Sequence, residues 1–134
     1  KVIDENRRIL NQQRTLQGKS KISYTHLIGW AIVQAIKDVP AINHAFVEAD
    51  GEPYRVARTQ LNLGVAVDVA GKDGNRSLMV PNIKNAGGLN FSQYTDAFDD
   101  IVKRARTGKL QVTDFQGTTV SLTNPGTVGT IASV

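Results

Sequence analysis

Thr123 is the side chain in this chain best placed to do chemistry. It lies in the glycine-punctuated run Gly117 to Gly129 (GTTVSLTNPGTVG). The β-branched residues of that run predict a strand over Thr118–Leu122, and Asn124-Pro125-Gly126 forces a turn directly after Thr123. A hydroxyl held at a strand end can donate a hydrogen bond to a developing oxyanion. The sequence offers that hydroxyl no base. His26 falls near the start of a helix and His44 in a short strand, and neither lies beside an acidic residue at triad or metal-ligand spacing. Both are expected to be structural. With no cysteine there is no thiolate nucleophile either. The residues read as half of an active site.

Other constellations carry less. The loop Asn124 to Gly129 lacks the lysine and the following helix of a phosphate-binding loop, so a tight strand-to-strand turn is its default reading. The segment Leu61–Val69 alternates, with Leu61, Leu63, Val65, Val67 and Val69 on one face and Asn62, Gly64, Ala66 and Asp68 on the other. Gly64 would let a second backbone or a ligand approach closely. No His, Cys, Asp or Glu spacing suggests a metal.

The elements that must position Thr123 follow from periodicity and punctuation. A helix is expected over residues 2–16, with Val2, Ile3, Ile9, Leu10 and Leu16 as a thin apolar stripe and Gly18 as its stop. A second helix over 25–39 is apolar on almost every side. Ser23 and Thr25 can cap it, Pro40 ends it, and burial against a sheet is expected. Residues 42–47 and 54–57 read as a hairpin around Asp50-Gly51. Strands follow over 61–69 and 77–83, where Pro81 marks an edge, an end or a bulge. Asn90 and Gln93 form a capping box for a helix carrying Phe91, Tyr94, Phe98, Ile101, Val102 and Ala105 on one face, closed by Gly108. A last strand begins at Thr130. The order predicts an α/β fold, a two-layer sandwich with helices on a mixed sheet.

The chain has 134 residues, 40% hydrophobic and 21% charged, which suits one domain with a real core. Its net charge of +4 resides in residues 1–21, and the rest of the chain balances. A basic helix can meet phosphate-rich ligands, but no nucleic-acid motif accompanies it, and a solvated face is the default. No apolar stretch is long enough to span a bilayer and no signal-peptide core is visible, so neither a membrane nor nucleic acid is an expected partner. The absence of cysteine fits a reducing compartment, and a cytoplasmic location is expected.

Four segments together resemble the catalytic domain of the dihydrolipoyl acyltransferases of 2-oxoacid dehydrogenase complexes. They are Lys21–Ala35 (KISYTHLIGWAIVQA), Asn62–Asp68 (NLGVAVD), Ser77–Lys84 (SLMVPNIK) and Thr118–Thr130 (TTVSLTNPGTVGT). With Asp99–Leu110 (DDIVKRARTGKL), the detail is similar to the succinyltransferase-like domains fused to the decarboxylating part of actinobacterial multifunctional 2-oxoglutarate dehydrogenases. The resemblance implies a chloramphenicol acetyltransferase-like fold. It implies transfer of a succinyl group from a dihydrolipoyl thioester to coenzyme A. Thr123 is the catalytic hydroxyl by position, and Asn62, Gly64, Asp68, Pro81 and Asn124 are candidates for lining the substrate channel. It implies a homotrimer or larger assembly, with a lipoyl domain, a dehydrogenase and a dihydrolipoyl dehydrogenase as partners. Thiamine diphosphate and Mg would enter only with a fused dehydrogenase segment. The family's base lies in a late His-x-x-x-Asp-Gly motif that these residues do not contain. Residues 1–134 are therefore expected to be a truncated, partial domain, inactive alone, whose site is completed by a neighbouring subunit. Two other readings stand beside this one: a non-catalytic trimeric scaffold, and a coenzyme A acyltransferase acting on a free small molecule.

Overall fold

Three α-helices and seven short strands, arranged in two layers, build residues 1–124, the part of the chain that the computed structural model describes. The expected turn at Pro125-Gly126 and the strand from Thr130 lie outside those residues.

Helix α1 (Val2–Leu16) forms as expected, with Asp4 and Glu5 in its first turn and Arg14 in its last, each favourable to the helix dipole. Gly18 leaves it at φ 68°, a conformation that glycine adopts without strain. Its apolar stripe is not what holds it: Val2 and Leu16 are 76% and 89% exposed. Polar contacts anchor it instead. Asn11 accepts from the main-chain N–H of Ile22 (2.6 Å) and donates to the Ile22 carbonyl (3.1 Å). Arg14, the one buried residue of α1, donates to the Ser20 carbonyl (2.7 Å).

Helix α2 (Tyr24–Asp38) buries His26, Gly29, Val33 and Ile36, while Tyr24 and Ile28 face outward. Burial against the sheet is thus as expected, although only one of the apolar faces of α2 is covered by the sheet and α3. A Cβ at Gly29 would run into the Tyr94 hydroxyl, so only glycine permits this close crossing of α2 and α3 (Phe91–Arg106). Tyr94 is fully buried and donates to the His26 carbonyl (3.0 Å). Burial pushes its phenol well above the usual range. Asn90 and Gln93 cap α3 reciprocally, at 2.8 and 3.0 Å, as the sequence predicts.

The hairpin β1 (Ala45–Ala49) and β2 (Glu52–Val56) turns through Asp50 and Gly51, both at positive φ. β1 starts later than expected because Pro40–Asn43 forms a 3₁₀ turn, and β2 starts two residues earlier than expected. The long strands expected over 61–69 and 77–83 each break in two. The first becomes β3 (Leu63–Val65) and β4 (Val67–Ala70), and the second β5 (Arg76–Met79) and β6 (Asn82–Ile83). The breaks coincide: Pro81 cannot donate, its carbonyl accepts from Val65 (2.8 Å), and Ala66 turns its N–H to Leu122 (3.0 Å). Among the described residues β4 and β5 then pair only with each other. The central sheet runs β6-β3-β7, with β7 (Val120–Leu122) parallel to β3 and β6 antiparallel to it. This is the expected mixed sheet, shorter than anticipated.

Between the layers lie Val33 and Ile36 from α2, Leu63, Val65 and Ile83 from the sheet, and Phe98, Ile101 and Ala105 from α3. Full burial of one such large apolar side chain stabilises by about 1.5–3 kcal/mol. That packing fixes α2 and α3 over the ends of β3 and β7, where Thr123 emerges.

Candidate active site

Thr123 follows β7 directly and is exposed. The strand that presents it is secured by main-chain bonds on β3, the last of them from Ala66 N–H to the Leu122 carbonyl (3.0 Å). Asn124 comes next and donates from Nδ2 to the Thr25 hydroxyl in the first turn of α2 (3.4 Å). A cavity of about 450 Å³ opens between these segments. Its apolar walls include Val65, Val67, Phe98 and Val102, and its polar lining includes Thr25, Asp68, Asp99 and Asn124. Arg76 and Arg106 also line it, Arg76 with its guanidinium on Asp68. Thr123 itself is not among the lining residues.

The sequence-derived candidates separate into two groups. Asp68 and Asn124 line the cavity, Asp68 as the ion-pair partner of Arg76. Asn62, Gly64 and Pro81 do not line it, and each is occupied within the fold. Asn62 donates from Nδ2 to the Gly117 carbonyl (2.8 Å), and its Oδ1 accepts from Asn85 N–H (2.9 Å). Its side chain thereby latches the segment before β7 to the one after β6. At Gly64 a Cβ would come within 2.9 Å of Ser121 Oγ and Thr118 Cγ2, so the close approach there is made by β7. Pro81 is buried at the strand break.

A cluster at the start of α2 was not legible in the sequence. Ser23 N–H (3.1 Å) and the Ser23 hydroxyl (2.7 Å) both donate to His26 Nδ1, which places the ring proton on Nε2. Nε2 donates to Asp99 Oδ1 (2.8 Å). Asp99 also accepts from the Ser20 hydroxyl (2.5 Å) and lies 3.9 Å from the Arg14 guanidinium. The expectation that His26 lacks an acidic neighbour is therefore corrected: α3 brings one from 73 residues away. The order hydroxyl, imidazole, carboxylate matches a catalytic relay, but Nδ1 also accepts the main-chain N–H of Ser23. A proton taken there would face that N–H. The arrangement is a helix cap with histidine at its third position, so the structural role expected for His26 stands. The one available signal was Thr95 and Asp99, four apart on one stripe of α3. His44 Nδ1 is buried without a hydrogen-bond partner and lies away from the cavity lining.

On the far side of α3, Arg104 donates to Asp100 (2.8 Å) and to Asp114 (2.6 Å). This contact, together with the N–H of Gln111, holds the Asp114 carboxyl below its usual range. Among the described residues no group of three or more His, Cys, Asp or Glu is arranged to hold a metal, and no helix is long and apolar enough to cross a membrane. The site offers a neutral donor, a partly apolar cavity and cationic groups beside it. It suits stabilisation of an oxyanion more than proton abstraction.

Known proteins share this fold. A probable dihydrolipoamide acetyltransferase from Listeria monocytogenes superposes with a TM-score of 0.78 over 98% of this chain and 53% of its own, at 24% identity, and so shows the fold. A truncated catalytic core of the 2-oxoacid dehydrogenase multienzyme complex from Thermoplasma acidophilum superposes with a TM-score of 0.69, at 26% identity, over 92% of this chain and 54% of its own. A multifunctional 2-oxoglutarate metabolism enzyme from Mycolicibacterium vanbaalenii is 51% identical over all 134 residues, which span 11% of that relative's length. The sequence matches the family of 2-oxoacid dehydrogenases acyltransferase (catalytic domain) over residues 2–134, and the chain belongs to that family.

Proposed function

We propose that this chain supplies the oxyanion-stabilising side of a site that transfers a succinyl group from a dihydrolipoyl thioester to coenzyme A. The observation that carries the proposal is Thr123, set at the end of a strand whose main chain is fixed to β3. The acyl group follows from chemistry. The 51% identical relative is named for 2-oxoglutarate metabolism, and loss of carbon dioxide from 2-oxoglutarate leaves a four-carbon succinyl unit. Arg106, in the lining of the cavity, is complementary to an anionic substrate end, whereas Arg76 is paired with Asp68.

The steps balance as follows. A histidine from outside these residues takes the proton of the coenzyme A thiol. The thiolate attacks the thioester carbonyl carbon, and the carbonyl π electrons move to oxygen. The Thr123 hydroxyl donates to that oxygen, a preorganised interaction that strengthens as the charge appears. Collapse re-forms the carbonyl and expels the dihydrolipoyl sulfur, which recovers the proton from the imidazolium. An unperturbed imidazole, with a pKa near 6.5, suits both halves of that transfer. Asp68 and Asn124 are placed to line the path of the substrate, whereas Asn62, Gly64 and Pro81 support it from behind.

The reading includes a homotrimer or larger assembly in which a neighbouring subunit brings the histidine. Its partners are a lipoyl domain, a dehydrogenase and a dihydrolipoyl dehydrogenase, in the cytoplasm. Thiamine diphosphate and Mg belong to a fused decarboxylating segment, and no step here runs through them. The test measures coenzyme A acylation by the full-length protein and by the 134-residue chain, with folding of both verified by circular dichroism. The full-length protein is expected to favour succinyl- over acetyl-dihydrolipoamide, and the chain alone is expected to turn over neither. A folded full-length assembly without turnover would support a scaffold. Acylation of a free small-molecule acceptor in preference to coenzyme A chemistry with dihydrolipoamide would overturn the substrate assignment.

A further inference from the structure

The cavity beside Thr123 has a second wall that the acyl-transfer chemistry does not use. It is the first turn of α2, held by side chains from all three helices. Arg14 of α1 is 8% exposed and donates to the Ser20 carbonyl (2.7 Å) and to Thr95 Oγ1 of α3 (3.4 Å). The Ser20 hydroxyl donates to Asp99 of α3 (2.5 Å). Asp99 receives the Nε2 proton of His26 (2.8 Å), and Nδ1 of the same ring holds Ser23, the N-cap of α2. Phe98 packs on the ring, with centroids 4.0 Å apart. Two residues beyond Ser23, the Thr25 hydroxyl accepts from the Asn124 amide (3.4 Å), and Asn124 is covalently next to Thr123.

We infer that His26 and Asp99 are positioning residues for Thr123, acting through Thr25 and Asn124. The inference rests on the reading of Thr123 as the oxyanion donor. The physical case concerns where the backbone of Thr123 is restrained. On its N-terminal side the β3–β7 ladder ends at Leu122. Beyond that point a described tether from another element is the Asn124–Thr25 bond. A donor must sit within a few tenths of an ångström of the nascent oxyanion, and small displacements caused by distant changes can cost up to about 10²-fold in rate. A plain N-cap would need only Ser23 and an acceptor at the third position. The carboxylate on the far ring nitrogen, with its own hydroxyl and guanidinium partners, fixes the ring plane as well. It thereby ties the first turn of α2 to α3, which forms the opposite wall of the cavity.

The experiment uses the full-length protein, coenzyme A and succinyl-dihydrolipoamide. Thr25→Val is nearly isosteric and removes only the acceptor for Asn124. It is expected to lower kcat about tenfold while both KM values stay within about twofold, and Thr25→Ser is expected to restore the rate. His26→Ala and Asp99→Ala should behave like Thr25→Val. His26→Gln keeps an acceptor for the Ser23 N–H and a donor for Asp99, and it should recover most of the loss. In a Thr123→Ala background, Thr25→Val should have almost no further effect, since a positioning residue has nothing left to position. A Thr25→Val enzyme with unchanged kcat, or one whose loss adds in full to that of Thr123→Ala, overturns the inference. An unchanged rate for Thr123→Ala alone instead refutes the role of Thr123 itself.

Discussion

The site has two sides built by different means: a β7 wall, which carries Thr123 and lies outside the cavity lining, and the α2 wall of the cavity. The β7 wall is made chiefly of main-chain bonds to β3, with the Asn62 side chain on the Gly117 carbonyl and Gly64 admitting Ser121 and Thr118. The α2 wall is made of side chains, and Arg14, Ser20, His26 and Asp99 each contribute a group that no neighbour duplicates. A main-chain ladder tolerates sequence change but offers little adjustment. A side-chain network sets position finely, yet loses it with single substitutions. The hydroxyl assigned to catalysis sits on the first wall and the elements assigned to its alignment on the second. The chemistry and the tuning of this site are therefore separable by mutation.

The sharpest break in the comparison is Thr123→Ala in the full-length protein. If the β7 wall carries the donor, turnover with succinyl-dihydrolipoamide falls by about 10²–10³, as for loss of one oxyanion donor. KM should move little, because the interaction strengthens only in the transition state. Thermal stability should be nearly unchanged, since the side chain is exposed. Assembly is checked by light scattering. An intact assembly with wild-type turnover would leave the β7 wall without a chemical role.

A smaller effect is expected at the foundation of that wall. Gly64→Ala drives a methyl to 2.9 Å from Ser121 Oγ and Thr118 Cγ2, in the middle of the parallel pair. Overpacking of this kind costs about 1–3 kcal/mol. Chemical denaturation should show the loss as a lower midpoint at constant slope. Adding Thr118→Ser removes one of the two offending groups and should return part of the stability. Equal midpoints for Gly64→Ala and wild type would show that β3 and β7 are less tightly joined than the register implies.

How legible these walls were depends on the separation of their parts. Helices α1, α2 and α3 could be read because their caps and stops, Ser23, Pro40, Asn90 and Gly108, are local in sequence. The run ending at Thr123 could be read for the same reason. Pro81 marked the interruption found between β5 and β6, but the break at Ala66 could not be read, since alternation continues straight through residues 61–69 and only the partner strands divide it. For this reason Asn62 and Gly64 looked like an open polar face and prove to be buried against the chain itself. The thin stripe of α1 misdirected attention toward Val2 and Leu16, whereas the anchors are Asn11 and Arg14, polar residues that pattern reasoning assigns to solvent. His26 and Asp99 lie on different helices, and no spacing rule joins them.

The subtlest expected effect tests whether the β7 wall is also secured from below by charge. Arg104 on α3 pairs with Asp114, four residues before the Thr118 that packs on Gly64. Pairing depresses the Asp114 carboxyl in the folded state, so its stabilising contribution is present above the unfolded value of about 3.9 and disappears as pH falls through the lower folded value. Asp114→Asn should therefore be less stable than wild type at pH 7, by no more than about 1 kcal/mol for a pair open to solvent. The difference between the two proteins should narrow progressively once pH drops below about 4. Denaturation midpoints taken from pH 7 down to the acid transition measure both quantities. A gap that stays constant through that range would mean that the loss does not depend on the charge of the carboxylate, and would remove charge from the account of how β7 is held.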